Sequence, residues 1–226
     1  MKLAAALVLL LLAAAVAAEP GDAPEGWRLF KVNDKKKLTA YELVLDGGKS
    51  ILHAKAEASA SGVYKVPDFS LADRPVLAWR WKVSRLIPGA DNSQGAREDS
   101  PARIVLAFEG DRDKLPRSDR RVLRIARTLS GKDLPYATLM YVWSNKAPVG
   151  TVIPNPHTGR IQMIVASSGA AGVGAWQDLS RNVVEDYRRA FREEPGRLLG
   201  YGVMSDTDNT GESVEAWYGE IDFRAR

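Results

Sequence analysis

Short runs of alternating apolar and polar residues occur along most of the chain and predict a mostly β protein. In VLAWRWKV, Leu77 and Trp79 fall on one face of a strand and Arg80 falls on the other, because successive side chains of a strand point to opposite faces. About ten such runs are separated by turn-forming residues, among them GWRLFKV, AYELVLDGG, ARIVLAFEG, ATLMYVWSN, GRIQMIVASS, RLLGYGVMS and SVEAWYGEIDF. This pattern favours a single-domain antiparallel β-sandwich, or jelly roll, over a parallel sheet.

Two segments have the spacing of amphipathic helices that pack against a sheet. In DLSRNVVEDYRRAF, apolar residues recur every four positions from Leu179 to Phe191, and Asp178 or Ser180 is the predicted N-cap. In RSDRRVLRIARTLSG, Gly131 ends the predicted helix. Its apolar stripe consists of Val122, Ile125, Ala126 and Leu129.

The last strand is predicted to be central in its sheet because it is apolar on both faces. Trp217, Ile221 and Phe223 share one face under simple alternation, and Ala216 and Tyr218 share the other. The polar turn before it is therefore expected to close a hairpin with the preceding strand.

The N-terminal residues predict a cleaved signal peptide over residues 1–18. Lys2 precedes an uncharged apolar run from Leu3 to Leu12, and small residues continue to Ala18. The run is too short to span a bilayer, so we expect a periplasmic or secreted protein with no stable membrane anchor after cleavage. Residues 19–226 are predicted to form one domain. Since the sequence has no Cys, this domain is stabilised by its core without disulfides.

Composition and motifs exclude several functional classes. The formal charge is +4, from 32 Lys and Arg against 28 Asp and Glu, so a nucleic acid is not an expected partner. Two His and no Cys give no zinc-binding set. The glycine-rich loop SSGAAGVGAWQD lacks the spacing of a nucleotide-binding loop, and no G-x-S-x-G motif is present.

The polar stretch DTDNTG has three interpretations. It begins like a calcium-binding EF-hand loop, but Thr210 and Trp217 occupy the fifth and twelfth ligand positions, which excludes that motif. A looser calcium site formed by Asp206 and Asp208 is the second interpretation, and no other cofactor is expected. The third is a structural turn whose side chains bond their own backbone and in which Gly211 adopts a positive φ.

The leading functional hypothesis is a non-catalytic binding domain for a glycan or a small anionic ligand. Arg80, Lys82 and Arg103 lie on the polar faces of their strands, and they would form a basic floor if these strands were neighbours. Trp143 precedes a loop rich in turn residues and offers an aromatic ring to a sugar. The predicted ligand-binding residues are Arg80, Arg103, Trp143, Asp206, Asp208 and Asn209.

Two alternatives belong to other functional classes. A glycosidase or lyase acting on envelope polysaccharide would use Asp206, Asp208 or Glu215, since carboxylates about 5–9 Å apart perform such chemistry. An envelope assembly partner would need no small ligand.

Five segments taken together resemble a group of exported bacterial proteins, domain-of-unknown-function family 3047. They are VLAWRWKV, DSPARIVLAFEG, LMYVWSN, GAWQDLSRNVVEDYRRAF and VMSDTDNTGESVEAWYGEIDF, in this order. The resemblance extends from about Gly26 to Phe223. It implies a compact β-sandwich in the bacterial envelope, similar to jelly-roll domains that include carbohydrate-binding modules, and it implies no established activity and no catalytic residues.

Overall fold

The computed structural model describes residues 23–32, 35–130, 134–156 and 158–226. The predicted signal peptide lies outside these residues. Within them, no helix combines the length and the apolar character needed to cross a membrane.

Two β-sheets form the framework of the described part of the chain. The strands are β1 (Arg28–Lys31), β2 (Ala40–Asp46), β3 (Lys49–Glu57), β4 (Ala60–Lys65), β5 (Val76–Val83), β6 (Ser100–Phe108), β7 (Ala137–Ser144), β8 (Val152–Pro154), β9 (Ile161–Ser168), β10 (Gln177–Asn182), β11 (Leu198–Asp206) and β12 (Ser213–Arg224). The helices are α1 (Arg117–Ser130), α2 (Val183–Phe191) and a 3₁₀ turn at Arg112–Lys114. One sheet has the order β1-β4-β11-β6-β7-β9-β8, and the other has the order β10-β5-β12-β3-β2.

The inner faces of the two sheets share one hydrophobic core. Trp79 and Trp81 of β5 meet the inner face of the seven-stranded sheet, with ring centroids 5.0 Å from Tyr141 and 6.2 Å from Trp143 respectively. Alternation along β5 is strict, since every second residue from Leu77 is buried. The prediction of a mostly β, two-sheet sandwich is therefore confirmed.

One strand pair is parallel, whereas the sequence pattern predicted antiparallel pairing throughout. β7 and β9 run parallel, and β8 pairs antiparallel with the other side of β9. The connection over residues 145–160 carries the chain back to the starting end of β7, and it is long enough for such a crossover. The remaining pairs of both sheets are antiparallel.

The second helix is shorter than its sequence pattern predicts. The predicted N-caps, Asp178 and Ser180, lie in the edge strand β10, and α2 begins at Val183. Asn182 is the N-cap, and its side-chain oxygen accepts two backbone N–H groups of the first turn. A spacing of four residues keeps side chains on one face of a strand as well as of a helix, so the apolar pattern could not separate the two elements.

Helix α1 forms in the segment where it was predicted. Leu123 packs in the core, whereas Ile125, a member of the predicted stripe, is 47% exposed. The side chains of Val122, Ala126 and Leu129, and the residue Gly131, lie outside the described part of the chain. In α2, Val183 and Tyr187 are buried in the core.

The turn that contains Asp206 connects the two sheets. β11 pairs with β4 and β6 in one sheet, and β12 pairs with β3 and β5 in the other. The predicted hairpin was wrong, because each strand is central in a different sheet and the two are not paired. Gly211 has a φ of +73°, as the turn interpretation predicted.

Strand β12 is central, as predicted, but a bulge changes which of its residues share a face. The pairing with β5 shifts register between Tyr218 and Ile221. Phe223 therefore joins Tyr218 in the core, and Trp217 lies on the opposite, outer face. Simple alternation had placed Phe223 with Trp217.

Candidate functional site

A buried ion pair occupies the end of β11 where the inter-sheet turn begins. The Arg103 guanidinium donates from Nε to Asp206 Oδ1 over 2.7 Å and from Nη2 to Oδ2 over 2.9 Å. Its Nη1 donates to Glu98 Oε1 over 2.8 Å. Burial by itself lowers the pKa of Arg103, but attraction to Asp206 and Glu98 outweighs it and raises the pKa above its ordinary value. The guanidinium is thus charged, and its donors are directed to neighbouring protein groups.

Asp99 fixes the inter-sheet turn from outside it. Its Oδ1 accepts the backbone N–H of Asn209 over 3.2 Å and the side-chain amide over 3.1 Å. Its Oδ2 accepts the N–H and the hydroxyl of Thr210 over 2.7 Å and 2.6 Å. The turn was expected to be closed by its own side chains, but this buried carboxylate, 110 positions earlier in the chain, bonds its backbone instead.

Three carboxylates meet at this turn. Asp99, Asp206 and Asp208 each bring one oxygen to within 4.8 Å of the others. Both oxygens of Asp206 accept from Arg103, both oxygens of Asp99 accept from the turn, and Asp208 forms an ion pair with Lys36. Most of the oxygens that a hard cation would need therefore already accept hydrogen bonds, and two cationic side chains offset part of the negative charge.

Calcium is accordingly expected to leave the melting temperature unchanged to within about 1 °C. A stabilising site at 100 times its Kd would add about 2.7 kcal/mol, which is roughly 5–10 °C for a domain of this size. Thermal melts in millimolar Ca²⁺, in Mg²⁺ and in a chelator provide the measurement. A rise that is specific to Ca²⁺ and disappears in Asp208→Asn would contradict the prediction.

The six residues predicted to bind a ligand do not form one surface. Arg103, Asp206, Asp208 and Asn209 belong to the inter-sheet turn network. Trp143 is fully buried, and its indole N–H donates to the carbonyl of Gly169 over 3.1 Å. The basic floor required β5 and β6 to be neighbouring strands. It does not form, because the two strands lie in different sheets and Arg80 is therefore not beside Arg103.

Arg80 belongs instead to a cationic and aromatic array on the outer face of the five-stranded sheet. Its guanidinium carbon lies 4.5 Å from the ring centroid of Trp176. The ammonium of Lys82 lies 5.2 Å from Trp176 and 4.5 Å from Trp217. Gly219 leaves room for the stem of Arg80, since a Cβ there would come within 2.4 Å of Arg80 Cγ. We call Arg80, Lys82, Trp176 and Trp217 the cation–indole array.

The two cations of the array have weak partners or none. Arg80 Nε is 3.4 Å from Asp178 Oδ1, which is too far for a good hydrogen bond, and it has no hydrogen-bond partner among the described residues. Asp178 is largely exposed, so this contact contributes little. Lys82 makes no ion pair with any residue of the described ranges.

A cleft of about 400 Å³ lies next to the array. It is lined by Lys49, Arg80, Asp178, Ser180, Glu220, Asp222 and Arg224, together with Ala78, Trp79 and Leu179. Most of these side chains are polar or charged, so the cleft suits a hydrophilic ligand more than an apolar one.

A row of ionisable side chains crosses the same outer face. His53 Nδ1 is 3.1 Å from Glu42 Oε1, and its Nε2 is 2.7 Å from Glu215 Oε2. The imidazole stacks on Trp217 with ring centroids 4.8 Å apart and planes at 6°. Lys55 lies 3.0 Å from Glu42, and this contact lowers the pKa of Glu42. The row Glu42–His53–Glu215 thus spans three neighbouring strands, β2, β3 and β12.

A family model described as "Protein of unknown function (DUF3047)" matches residues 25–222. The chain belongs to this family. The match confirms the resemblance found in the sequence, and no curated protein matches this DUF3047 chain.

Several solved structures are similar to the DUF3047 chain in fold. The xyloglucanase domain of NopAA, a type three effector from Sinorhizobium fredii in complex with cellobiose, has 6% identity and a TM-score of 0.46 over 91% of this chain and 96% of that chain. The family 11 xylanase from Neocallimastix patriciarum has 8% identity and a TM-score of 0.40, over 88% and 91%. The endo-1,4-β-glucanase CelB2 has 10% identity and a TM-score of 0.42, over 91% and 95%. At TM-scores this low, the likenesses carry no weight for function.

Sequence reasoning about this DUF3047 protein missed part of the outer face. Glu42 had no assigned role, Trp176 was not singled out among the aromatic residues, and His53 was considered only as a zinc ligand. Glu42, His53 and Glu215 have one feature in common in the sequence, which is that each occupies a polar position of a strand. That signal could not reveal the row, because it depends on which strands are neighbours.

Proposed function

We propose that this protein binds a carboxylated glycan on the outer face of its five-stranded sheet, in the periplasm or outside the cell after removal of residues 1–18. The observation that carries the proposal is the pair Arg80 and Lys82, two cations on one strand face for which the described residues provide no hydrogen-bonded acceptor. Arg103 and Trp143, which the sequence suggested as ligand contacts, are not part of this surface.

Two like charges on one strand face favour an anion between them. Arg80 and Lys82 are two positions apart on β5, so their backbones are separated by about 6.6 Å. Their mutual repulsion is unfavourable, and a carboxylate that contacts both cations would remove it. The Arg80 guanidinium also offers the planar pair of donors that matches a carboxylate.

The indole rings hold the two cations in place before a ligand arrives. Trp176 contacts Arg80 and Lys82, and its N–H donates to Asp46 Oδ2 over 2.9 Å. A cation above an aromatic face loses little of its charge to the ring, so it remains available to an anion. Side chains that are already ordered lose less conformational entropy on binding, which favours affinity.

The neighbouring cleft supplies groups that suit sugar hydroxyls. Ser180, Asp222 and Lys49 line it, and these side chains provide both hydrogen-bond donors and acceptors. Its volume of about 400 Å³ lies within the usual range of roughly 300–1,000 Å³ for small-molecule sites. A uronic acid combines the two requirements of this surface, a carboxylate and a ring of hydroxyls.

Isothermal titration with oligogalacturonate, oligomannuronate and hyaluronate oligosaccharides tests the proposal. We expect binding of at least one of them that weakens as salt increases. The double substitution Arg80→Ala and Lys82→Ala is expected to weaken that binding at least tenfold, since a hydrogen bond to a charged group contributes about 1.5–3 kcal/mol. Gly219→Ala displaces Arg80 without changing its charge and is expected to act in the same direction.

Two controls give the test its specificity. Arg197→Ala removes an exposed Arg that pairs with Glu109 elsewhere on the protein, and it should leave binding unchanged. The methyl esters of the same oligosaccharides lack the carboxylate charge and should bind more weakly. Absence of binding to all three uronate classes, or equal binding by the double variant, would overturn the proposal.

A further inference from the structure

The cation–indole array lies beside the row Glu42–His53–Glu215. Lys82 is directly opposite Trp217 in the pairing of β5 with β12, and His53 is directly opposite Trp217 in the pairing of β12 with β3. Glu215 is two positions before Trp217, so it is a diagonal cross-strand neighbour of Lys82 at about 7–8 Å. An anion held by Lys82 would therefore have Glu215 within reach of its neighbouring atoms.

Glu215 is the member of the row that faces solvent. Its side chain is 47% exposed, whereas the side chain of His53 is 10% exposed. One carboxylate oxygen of Glu215 contacts His53 Nε2, and the other has no hydrogen-bond partner among the described residues. The sequence suggested three carboxylates for catalysis. Of these, Asp206 forms a buried ion pair with Arg103, and Asp208 forms an ion pair with Lys36. Glu215 is the most exposed of the three, because its side chain is 47% exposed against 8% for Asp208 and 5% for Asp206.

The rest of the row can exchange a proton with Glu215. An ionised carboxylate only accepts hydrogen bonds, so Glu42 accepts from His53 Nδ1–H. His53 Nε2 and Glu215 Oε2 are 2.7 Å apart and share a second proton, and Glu215 is the ionised base when this proton is on Nε2. Lys55 keeps Glu42 in its ionised form, as the lowered pKa of that carboxylate indicates. Stacking on Trp217 fixes the plane of the imidazole. A carboxylate, a histidine and a second carboxylate in this order form a short path for one proton.

We propose that this surface catalyses β-elimination in a polyuronate, with Glu215 as the acid–base residue, His53 and Glu42 as positioning residues, and Arg80 and Lys82 as the carboxylate site. The proposal rests on the binding function proposed above and adds a reaction to it. The substrate class follows from the pairing of two groups: a cationic site that neutralises a carboxylate, and an acid–base group next to it.

The reaction needs no cofactor, oxidant or water. Glu215 takes the proton from C5, the carbon next to the carboxylate, and the electron pair of that C–H bond forms a C4–C5 double bond. The bond from C4 to the glycosidic oxygen breaks, and this oxygen receives a proton from the Glu215–His53 pair. Arg80 and Lys82 stabilise the negative charge that develops on the carboxylate while C5 loses its proton. The products are a new chain end and a 4,5-unsaturated uronate.

The test uses the full-length mature protein with polygalacturonate, alginate and hyaluronate. We expect the conjugated unsaturated uronate to appear as increasing ultraviolet absorbance, and mass spectra to show a product one water lighter than hydrolysis would give. Glu215→Gln is expected to lower the rate at least 100-fold, while the Kd for the same oligosaccharide changes less than about threefold. His53→Gln is expected to lower the rate less and to move the pH–rate profile.

Controls separate this reaction from binding alone and from misfolding. Glu57→Gln changes an exposed carboxylate of β3 that pairs with Lys37, outside the row, and should retain the wild-type rate. Thermal melts of each variant verify folding. Binding of a polyuronate by the wild-type protein without any unsaturated product would overturn the elimination and leave the binding function intact. Wild-type turnover by Glu215→Gln would overturn the assignment of Glu215, and absence of binding would overturn both proposals.

Discussion

Replacing Asp206 with alanine is expected to lower the free energy of unfolding by about 3–5 kcal/mol, the usual effect of removing one partner of a buried ion pair. Arg103 is 2% exposed, and Asp206 contacts it through both carboxylate oxygens. Without this partner, a guanidinium charge remains buried with Glu98 as its remaining carboxylate. The inter-sheet turn would also lose the carboxylate that accepts the backbone N–H of Ser100.

Chemical denaturation gives the measurement, with Glu109→Ala as the matched control. Glu109 also pairs with an arginine, Arg197, but both side chains are more than half exposed. Exposed pairs contribute about 0–1 kcal/mol, so the control should change stability little. A loss in Asp206→Ala no greater than in Glu109→Ala would show that the buried pair does not stabilise the sandwich as described.

Gly202→Ala is expected to destabilise the protein by about 3 kcal/mol or more, the upper range for inserting atoms into a packed site. A Cβ at Gly202 would come within 2.2 Å of the carbonyl oxygen of Val63 and within 2.8 Å of Tyr64 Cα on the adjacent strand β4. Both contacts involve backbone atoms, which cannot move aside without disturbing the pairing of β11 with β4. The strain therefore acts on a central strand of the seven-stranded sheet.

Gly200→Ala is the control for this position, because Gly200 lies on the same strand two residues earlier. The nearest atom to a Cβ there is Tyr64 Cδ2 at 3.3 Å, which belongs to a side chain that can shift. We expect a change below about 1 kcal/mol for Gly200→Ala. Equal effects of the two substitutions in urea denaturation would contradict the steric explanation.

The predictions that succeeded rest on local physics. Strict alternation in β5 identified its core face, because a one-residue shift would expose every apolar side chain of that strand. The apolar character of both faces of β12 correctly indicated a central strand. Some predictions failed because the same pattern fits a helix and a strand, as in β10, which was predicted to be the start of a helix. Others failed because the sequence does not show which strands pair, as with β11 and β12.

The candidate site was only partly visible in the sequence, because it is built from neighbours that are distant along the chain. Arg80 was identified from its position on a polar strand face, but its proposed companion was Arg103, which lies in the other sheet. Nothing local indicated that Glu42, His53 and Glu215 form one row. The bulge after Tyr218 also changes which residues of β12 share a face, and simple alternation cannot reveal that change.

The sequence by itself determined the mostly β class, the family, most strands, the segment of α1 and the polar turn with Gly211 at positive φ, since periodicity and backbone preferences act over a few residues. Only the tertiary structure decided that the turn crosses between sheets and that Arg103 and Lys36 pair with its carboxylates. It also decided that Asp99 bonds the backbone of the turn, and that Arg80 and Lys82 have no hydrogen-bonded acceptor among the described residues. Charge pairing depends on distances of a few ångströms between strands, and the order of strands in a sheet sets those distances. The sequence shows which ionisable side chains are present, and the order of strands in the sheets determines which of them come into contact.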